Sequence, residues 1–342
     1  MNIKHYFTLL YLFLFVLFYS NTVFVKAQDV DMPITVEPIY PENHNSSTIG
    51  YFNLNVNPGD QQTIEIKITN NKNEEINVSL ASAYAYTNAT GGIMYKDVID
   101  SLDTELIENG IHIKENITVQ DTVTLPPQGS ETVPIEITVP EADGETLLGG
   151  VLIAAQGDTM QQKQEVEEGT ANFTINTEMV IAMAVQLNLP NTVDTDFQIG
   201  DAGIYGENAQ VYIEMENHAQ KIQEDISGTY SVHNDKGEEL FNGGFEPFKM
   251  APMSKIRFPI QWGYEMLEDG NYTIRINGHV QGNDFTEVRE LQIRKEDVDD
   301  FVEQQQTEVT VAKEDNGIPT WIWIAGVVLI GIIMFLLGRR RR

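Results

Sequence analysis

The chain has 342 residues, of which 51 are acidic and 21 basic, and it contains no cysteine. The lack of cysteine excludes a disulfide framework, a thiol nucleophile and a cysteine zinc site. The formal net charge of -30 excludes nucleic acid and anionic lipid surfaces as natural partners, while the length and the 42% hydrophobic content predict about two packed domains.

Residues 1–27 predict a secretory signal peptide. Lys4 precedes an uncharged apolar run from Phe7 to Tyr19, and Ala27 ends the segment. A basic start, an apolar centre shorter than the ~20 residues of a membrane-spanning helix and a small residue at the end are the three parts of such a signal. We expect cleavage after Ala27, with an uncleaved N-terminal anchor as the alternative.

The region after the signal carries strand patterns. Ile64, Ile66 and Ile68 alternate with polar residues, and the run from Val133 to Val139 does the same. This period of two places one face on a core and the other in water, as in antiparallel sheets. Turn residues such as Asn57-Pro58-Gly59 separate the runs, and many short strands with frequent turns are typical of β-sandwiches.

A diverged internal repeat predicts two such sandwiches. The strands Ile64–Asn70 and Val211–Asn217 both end in asparagine, and Pro127-Gln128-Gly129-Ser130 and Pro252-Met253-Ser254 each lead into a later strand. The predicted fold class is therefore all-β, with two tandem Ig-like β-sandwich domains and one C-terminal transmembrane helix.

The two copies differ in length. Between the strand-ending asparagine and the later serine, the first copy holds about 23 more residues than the second, around Thr87 to Gln120. An insertion on a sandwich rim is a candidate binding surface, because loops carry function on a rigid scaffold. A hairpin without a function is the alternative.

The end of the first copy is predicted to be a hairpin. Its strands are Leu147–Ala155 and Phe173–Leu187, joined by the polar, acidic span 156–169, and Gly149-Gly150 fits a bulge or a turn. The repeat then places the boundary between the two folded units near residue 189.

The C-terminal residues predict the cellular location. Residues 298–318 read as an acidic stalk, residues 319–338 as a transmembrane helix and residues 339–342 as a cytoplasmic basic tail. A span of about 20 uncharged residues crosses the hydrocarbon layer, and positive flanking charge stays inside. We expect a single-pass protein of the cell membrane with an extracellular body.

No catalytic constellation is evident. The five histidines that remain after signal removal stand apart, without the spacing of a zinc protease, and no Gly-x-Ser-x-Gly elbow is present. The sequence therefore predicts no enzyme, no catalytic residue, no cofactor and no metal site. A carbohydrate-active hydrolase that uses two of the many carboxylates is a minor alternative.

Several short motifs together resemble one family. In the first copy they are Asn57-Pro58-Gly59, Tyr86-Thr87-Asn88, Gly92-Ile93-Met94-Tyr95 and Leu148-Gly149-Gly150-Val151; in the second they are the strand Met179–Leu187, Met250-Ala251-Pro252-Met253-Ser254, Trp262 and Asp269-Gly270-Asn271-Tyr272. In order and spacing they resemble the WxL-interacting cell-surface proteins of low-GC Gram-positive bacteria, which share the layout of signal, two β domains and C-terminal span.

The resemblance implies a function and domain limits. It implies a peptidoglycan-binding domain at residues 28–160 and a host-binding domain at residues 161–297, with the boundary near 160 rather than 189. It also implies that the chain is a non-catalytic binding protein. The implied partners are WxL-domain surface proteins, peptidoglycan and a host extracellular-matrix protein. An extracellular assembly factor or a chaperone-like spacer for one secreted partner, analogous to two-domain pilus chaperones, is the alternative.

Overall fold

The computed structural model of the chain describes residues 32–166, 169–205, 210–262 and 268–294. The predicted signal peptide (1–27), acidic stalk (298–318), transmembrane helix (319–338) and basic tail (339–342) lie outside these residues. Within the described part, none of the helices has the length and apolarity of a membrane span.

The described residues form eighteen strands and one short 3-10 helix at Ile113–Asn116. The prediction of an all-β fold is confirmed. We call residues 32–189 the first half and residues 190–294 the second half. The strands of the first half are β1 Ile34–Ile39, β2 Phe52–Asn55, β3 Gln61–Asn70, β4 Ile76–Thr87, β5 Ile93–Lys96, β6 Thr104–Leu106, β7 Ile117–Val119, β8 Thr122–Leu125, β9 Ser130–Thr138, β10 Thr146–Val166 and β11 Gly169–Asn188. Those of the second half are β12 Phe197–Tyr205, β13 Gln210–Asn217, β14 Gln223–His233, β15 Glu239–Met250, β16 Ser254–Pro259, β17 Gly270–Val280 and β18 Asn283–Ile293.

The strands form four sheets. Sheet A has the order β1-β3-β9-β7, and sheet B has the order β2-β11-β10-β4-β5, with β8 also on β4. Sheet C has the order β12-β13-β16-β6, and sheet D has the order β15-β14-β17-β18. Neighbouring strands are antiparallel except β2, which runs parallel to β11.

Two separate hydrophobic cores hold the sheets together in pairs. The first core lies between sheets A and B and includes Ile66 of β3 and Val151 of β10. The second lies between sheets C and D and includes Ile213 of β13 and Ile274 of β17. In β3 every second residue is buried, so the alternation in the sequence sets which face of each strand enters a core.

The strand β11 belongs to the first core, because Val185 and Leu187 are buried there. The ribbon of β10 and β11 then continues past the core, as far as the pair Val166 and Gly169. The predicted connection at residues 156–169 is therefore wrong for most of its length. A two-stranded ladder needs backbone partners and no apolar face, so polar residues can extend it.

The predicted bulge or turn at Gly149-Gly150 is also wrong, since both residues lie inside β10 and pair in unbroken register with β4 and β11. A Cβ at Gly149 would stand 2.9 Å from Cγ1 of Ile113, and a Cβ at Gly150 would stand 2.9 Å from the main-chain oxygen of Met183. Glycine is needed here because neighbouring atoms approach both faces of the strand.

A buried asparagine corner occurs once in each half, at Asn70 and Asn217, both 0% exposed. In each corner Nδ2 donates to the main-chain oxygen four residues later, at 2.7 Å and 2.9 Å. In each, Oδ1 accepts from the main-chain N–H two residues later, at 2.8 Å and 3.0 Å. Nδ2 also donates to the oxygen of Pro126 at 2.9 Å or of Ala251 at 2.8 Å. The matched bonds show that the two asparagines, which the predicted repeat placed at corresponding positions, have equivalent local structures.

Candidate binding site

The insertion predicted at residues 87–120 belongs to the first half but contacts the second half. Its strand β6 pairs with β16, with Thr104 opposite Ile256. A strand from the first half thus forms the outer strand of sheet C, next to β16. Sequence reasoning did not predict this pairing, because a strand of three residues is too short to show a period of two.

Buried hydroxyl groups join the two halves beside β6. The hydroxyl of Thr87 lies 2.6 Å from that of Ser254, and the N–H of Ala251 donates to Oγ1 of Thr87 at 2.9 Å. Because Ser254 itself donates to the oxygen of Ala251 at 2.8 Å, Thr87 is the donor to Ser254. Thr87 and Ser254 are both fully buried, so water cannot replace these bonds.

The side chain of Gln220 joins the halves on the other side of the insertion. Its Oε1 accepts from the N–H of Ile111 at 2.9 Å, and its Nε2 donates to the oxygen of the same residue at 3.2 Å. Nε2 also lies 3.3 Å from the oxygen of Thr146. Next to it, Lys221 forms an ion pair with Glu145 at 3.3 Å. The insertion is therefore held between the halves by specific polar contacts.

A surface cleft of about 640 Å³ opens beside this junction. The loop before β6 contributes Val98 and Leu102, which are 56% and 68% exposed. Tyr84 of β4, Lys114 of the 3-10 helix and Arg257 of β16 complete its main walls. Both halves of the protein thus contribute to one cleft, which contains apolar, aromatic and cationic groups together with the acidic residues Asp97 and Glu105.

Lys114 presents a positive charge in the cleft. Its Nζ donates to the main-chain oxygen of Asp97 at 2.8 Å and lies 5.0 Å from the centre of the Tyr84 ring. An ammonium at this distance is attracted to the ring face. Because an ammonium has three donors, the bond to Asp97 leaves capacity for an anionic or hydroxyl ligand.

Arg257 connects the cleft loop to the outer face of sheet C. Its Nε donates to Oε1 of Glu214 at 3.2 Å, and its Nη1 donates to the main-chain oxygen of Leu102 at 2.6 Å. The guanidinium carbon lies 5.7 Å and 5.4 Å from the ring centres of Tyr205 and Tyr212. Arg257 therefore orders the loop that forms one wall of the cleft.

A ladder of ion pairs continues from Arg257 along sheet C. Glu214 and Glu216 stand opposite Arg257 and Lys255 in the register of β13 and β16, and Nζ of Lys255 lies 2.8 Å from Oε2 of Glu214. Burial raises the pKa of Glu214, but the hydrogen bonds from Lys255 and Arg257 outweigh it and hold the pKa below its usual value. Glu214 therefore stays ionised and stabilises the wall of the cleft.

The histidines are scattered rather than gathered at the cleft. Each of the five histidines among the described residues contacts a different partner: His44 contacts Tyr40, His112 contacts Tyr84, His218 contacts Glu216, His233 contacts Ser231 and His279 contacts Asp284. Across the described ranges, no three histidine or acidic side chains are grouped as a metal site would require.

Comparison with known protein families matches the two parts of the chain separately. Residues 34–155 match the peptidoglycan binding domain of WxL Interacting Protein. Residues 170–303 match the host binding domain of the same family. The two matches together cover most of the chain and support a non-catalytic binding role at the cell surface.

Solved structures of fimbrial chaperones share a distant likeness with the chain. A chain of the chaperone-tip adhesin complex of CFA/I fimbriae is 10% identical and aligns over 75% of this chain and 99% of its own, with a TM-score of 0.33. A chain of the CsuC-CsuE pre-assembly complex of Acinetobacter baumannii is 9% identical over 76% and 98%, with a TM-score of 0.37. Likeness at this level does not bear on function. Comparison with curated protein sequences gives no match. By its two domain matches, the chain belongs to the WxL Interacting Protein family.

Proposed function

We propose that this chain is a membrane-anchored, non-catalytic cell-surface protein that docks peptidoglycan and WxL-domain surface proteins. Its body consists of two tandem Ig-like sandwiches, and a host matrix component is a further ligand of the second half. Family membership supports the choice of partners, and the binding groups of the junction cleft support a role without catalysis.

The proposed location follows from the two ends of the sequence. The signal at residues 1–27 exports the body, the apolar residues 319–338 remain in the membrane, and Arg339 to Arg342 stay in the cytoplasm. Removing residues 319–342 should release the protein from washed membranes into the medium. Retention of this shortened chain on the membrane would contradict the anchoring.

The observation that carries the ligand proposal is the cleft shared by Tyr84, Lys114 and Arg257. Peptidoglycan presents sugar rings with apolar faces and peptide stems with carboxylates. An aromatic ring offers an apolar face to the sugar rings. Ammonium and guanidinium groups make charge-assisted hydrogen bonds to the carboxylates of the peptide stems. Arg257 is already paired with Glu214, and Asp97 and Glu105 also line the cleft. Lys114 is therefore the group that we expect to bind the carboxylates of the polymer.

Sedimentation with insoluble peptidoglycan tests the site. The full chain in detergent should pellet with the polymer, and Lys114→Gln should lower the affinity at least about tenfold, since a hydrogen bond to a charged group contributes roughly 1.5–3 kcal/mol. Lys67→Gln is the matched control, because Lys67 lies on the outer face of sheet A, away from the cleft. Equal binding of the two variants would exclude the cleft, and no binding by the unmodified chain would exclude the polymer as a ligand.

A further inference from the structure

The outer faces of sheets A and B differ in polarity. On sheet A, Lys67 and Thr132 stand side by side and are both exposed. On sheet B, the register places Leu152 beside Ala182 and Ala154 beside Val180, facing away from the core. Val180 is 53% exposed. An outer sheet face is usually polar, so this apolar surface on sheet B needs an explanation.

The strand β11 also has one long open edge. Its first edge pairs with β10 from Gly169 to Asn188, with one register shift opposite residues 156–159. Its second edge pairs with β2 only from Val185 to Asn188. Among the described residues, no strand pairs with the second edge between Met179 and Ala184. At ~3.3 Å per residue, this open stretch of six residues is about 20 Å long. We call it the β11 edge.

Natural sheets usually protect such edges. Short strands, lysine, proline and bulges are the common devices. The segment Met179 to Ala184 reads Met-Val-Ile-Ala-Met-Ala and contains no charge and no proline. Its register with β10 is unbroken by a bulge in this stretch. The β11 edge is therefore a suitable template for another strand.

We propose that the β11 edge is the docking site for an extended strand of a partner protein, which adds to sheet B beside β11. This inference rests on the proposed function, because it assigns the strand to a WxL-domain surface protein. A peptide backbone matches the repeating N–H and C=O groups of an open strand edge, whereas a glycan does not carry that repeat.

The chemistry of the added strand follows from its neighbours. Alternate side chains of the added strand would lie beside Ile181 and Met183 on the core side and beside Val180 and Ala182 on the outer side. Both sets are apolar, so the strand should be apolar on both faces.

Crosslinking tests the site directly, because the chain has no native cysteine. A photoactivatable group is attached to Ala182→Cys or to Thr132→Cys in the full chain, and a purified WxL-domain protein is the probe. We expect crosslinks from residue 182 and none from residue 132. Hydrogen exchange at the alternate amides of residues 179–184 that face the open edge should slow at least tenfold with the probe bound, because added backbone bonds protect them.

Charge substitution completes the test. Ala182→Arg should weaken retention of the probe about tenfold or more, whereas Thr132→Arg should leave it unchanged. If the probe binds but crosslinks equally from both positions, or if exchange at residues 179–184 is unaltered, the inference is overturned and the proposed function stands. If residue 182 crosslinks only to the chain's own terminal residues, the edge is closed internally and the inference fails. If the unmodified chain retains no probe, both are overturned.

Discussion

The turns that contact the two asparagine corners have the same backbone conformation but differ in their surroundings. Gln128 and Met253 occupy matching positions and both have a left-handed backbone, with φ of 53° and 49°. Their N–H groups donate to matching main-chain oxygens, of Lys72 at 3.0 Å and of Ala219 at 3.2 Å. Yet Gln128 is exposed, whereas Met253 is 6% exposed. The same turn is thus a surface feature in one half and an interface in the other.

The insertion accounts for this difference. Met253 accepts a hydrogen bond from the N–H of Ile107 at 2.9 Å. Gly110 lies so close to it that an added Cβ would stand 2.4 Å from Cβ of Met253. The turn Ala251 to Ser254 is buried along its length. An apolar methionine in place of glutamine fits that burial. The two turns therefore have the same backbone conformation, but their side chains differ because only the second turn contacts the insertion.

The largest expected effect comes from removing the corner asparagines. Asn217→Ala should lower the free energy of unfolding by about 3–5 kcal/mol, because buried main-chain groups lose their partners at roughly 1–3 kcal/mol each. Asn70→Ala should cost less, because Glu74 and Pro126, which supply two of the three oxygens that Asn70 Nδ2 contacts, are exposed residues that water can reach, and only Leu125 is buried. Urea denaturation of the full chain measures both.

Asn242→Ala serves as the control for these variants, because Asn242 is exposed and bonds only the side chain of Glu239 among the described contacts. Its stability should stay within about 0.5 kcal/mol of the parent. Equal losses for Asn70→Ala and Asn217→Ala would show that the different surroundings of the two corners do not affect their stability.

A smaller effect is expected at the junction itself. Thr87→Val keeps the shape of the side chain but removes the hydroxyl that accepts from Ala251 and donates to Ser254. We expect a loss of about 1–3 kcal/mol and faster proteolysis between the halves. The exposed residue Thr90 provides the control Thr90→Val. Unchanged stability and proteolysis in Thr87→Val would mean that these bonds do not hold the halves together.

The smallest effect concerns pH. The folded state lowers the pKa of Glu214, so its ionised form stabilises the fold at pH values above its unfolded pKa of about 4.3. This contribution is lost as the pH falls through the folded pKa. Glu214→Gln should therefore cost about 1 kcal/mol or less at neutral pH, and the difference from the parent should shrink in acid. Urea midpoints at several pH values measure it.

Exposed Glu65 on sheet A gives the matched variant Glu65→Gln. It should leave the urea midpoint at neutral pH nearly unchanged. A Glu214→Gln variant whose stability differs from the parent by the same amount at every pH would refute the electrostatic origin of the effect.

Part of the candidate site was accessible from the sequence. The length difference between the copies pointed to residues 87–120, and the cleft lies against that segment, with Lys114 inside it. Tyr84 and Arg257 gave no such signal, because each looks like an ordinary strand residue. Arg257 enters the cleft only because β16 pairs with β6 across the junction.

The sequence by itself determined the all-β fold, the repeat and the family. Alternating apolar residues and turn residues are local patterns that can be read from a few neighbouring positions, and they occur in both copies. It also marked the asparagines at which the copies correspond. Only the tertiary structure decided that β6 joins sheet C, that β10 and β11 extend as a ribbon and that one edge of β11 stays open among the described residues. Strand pairing depends on backbone groups that every residue carries, so distant partners leave little trace in the order of side chains.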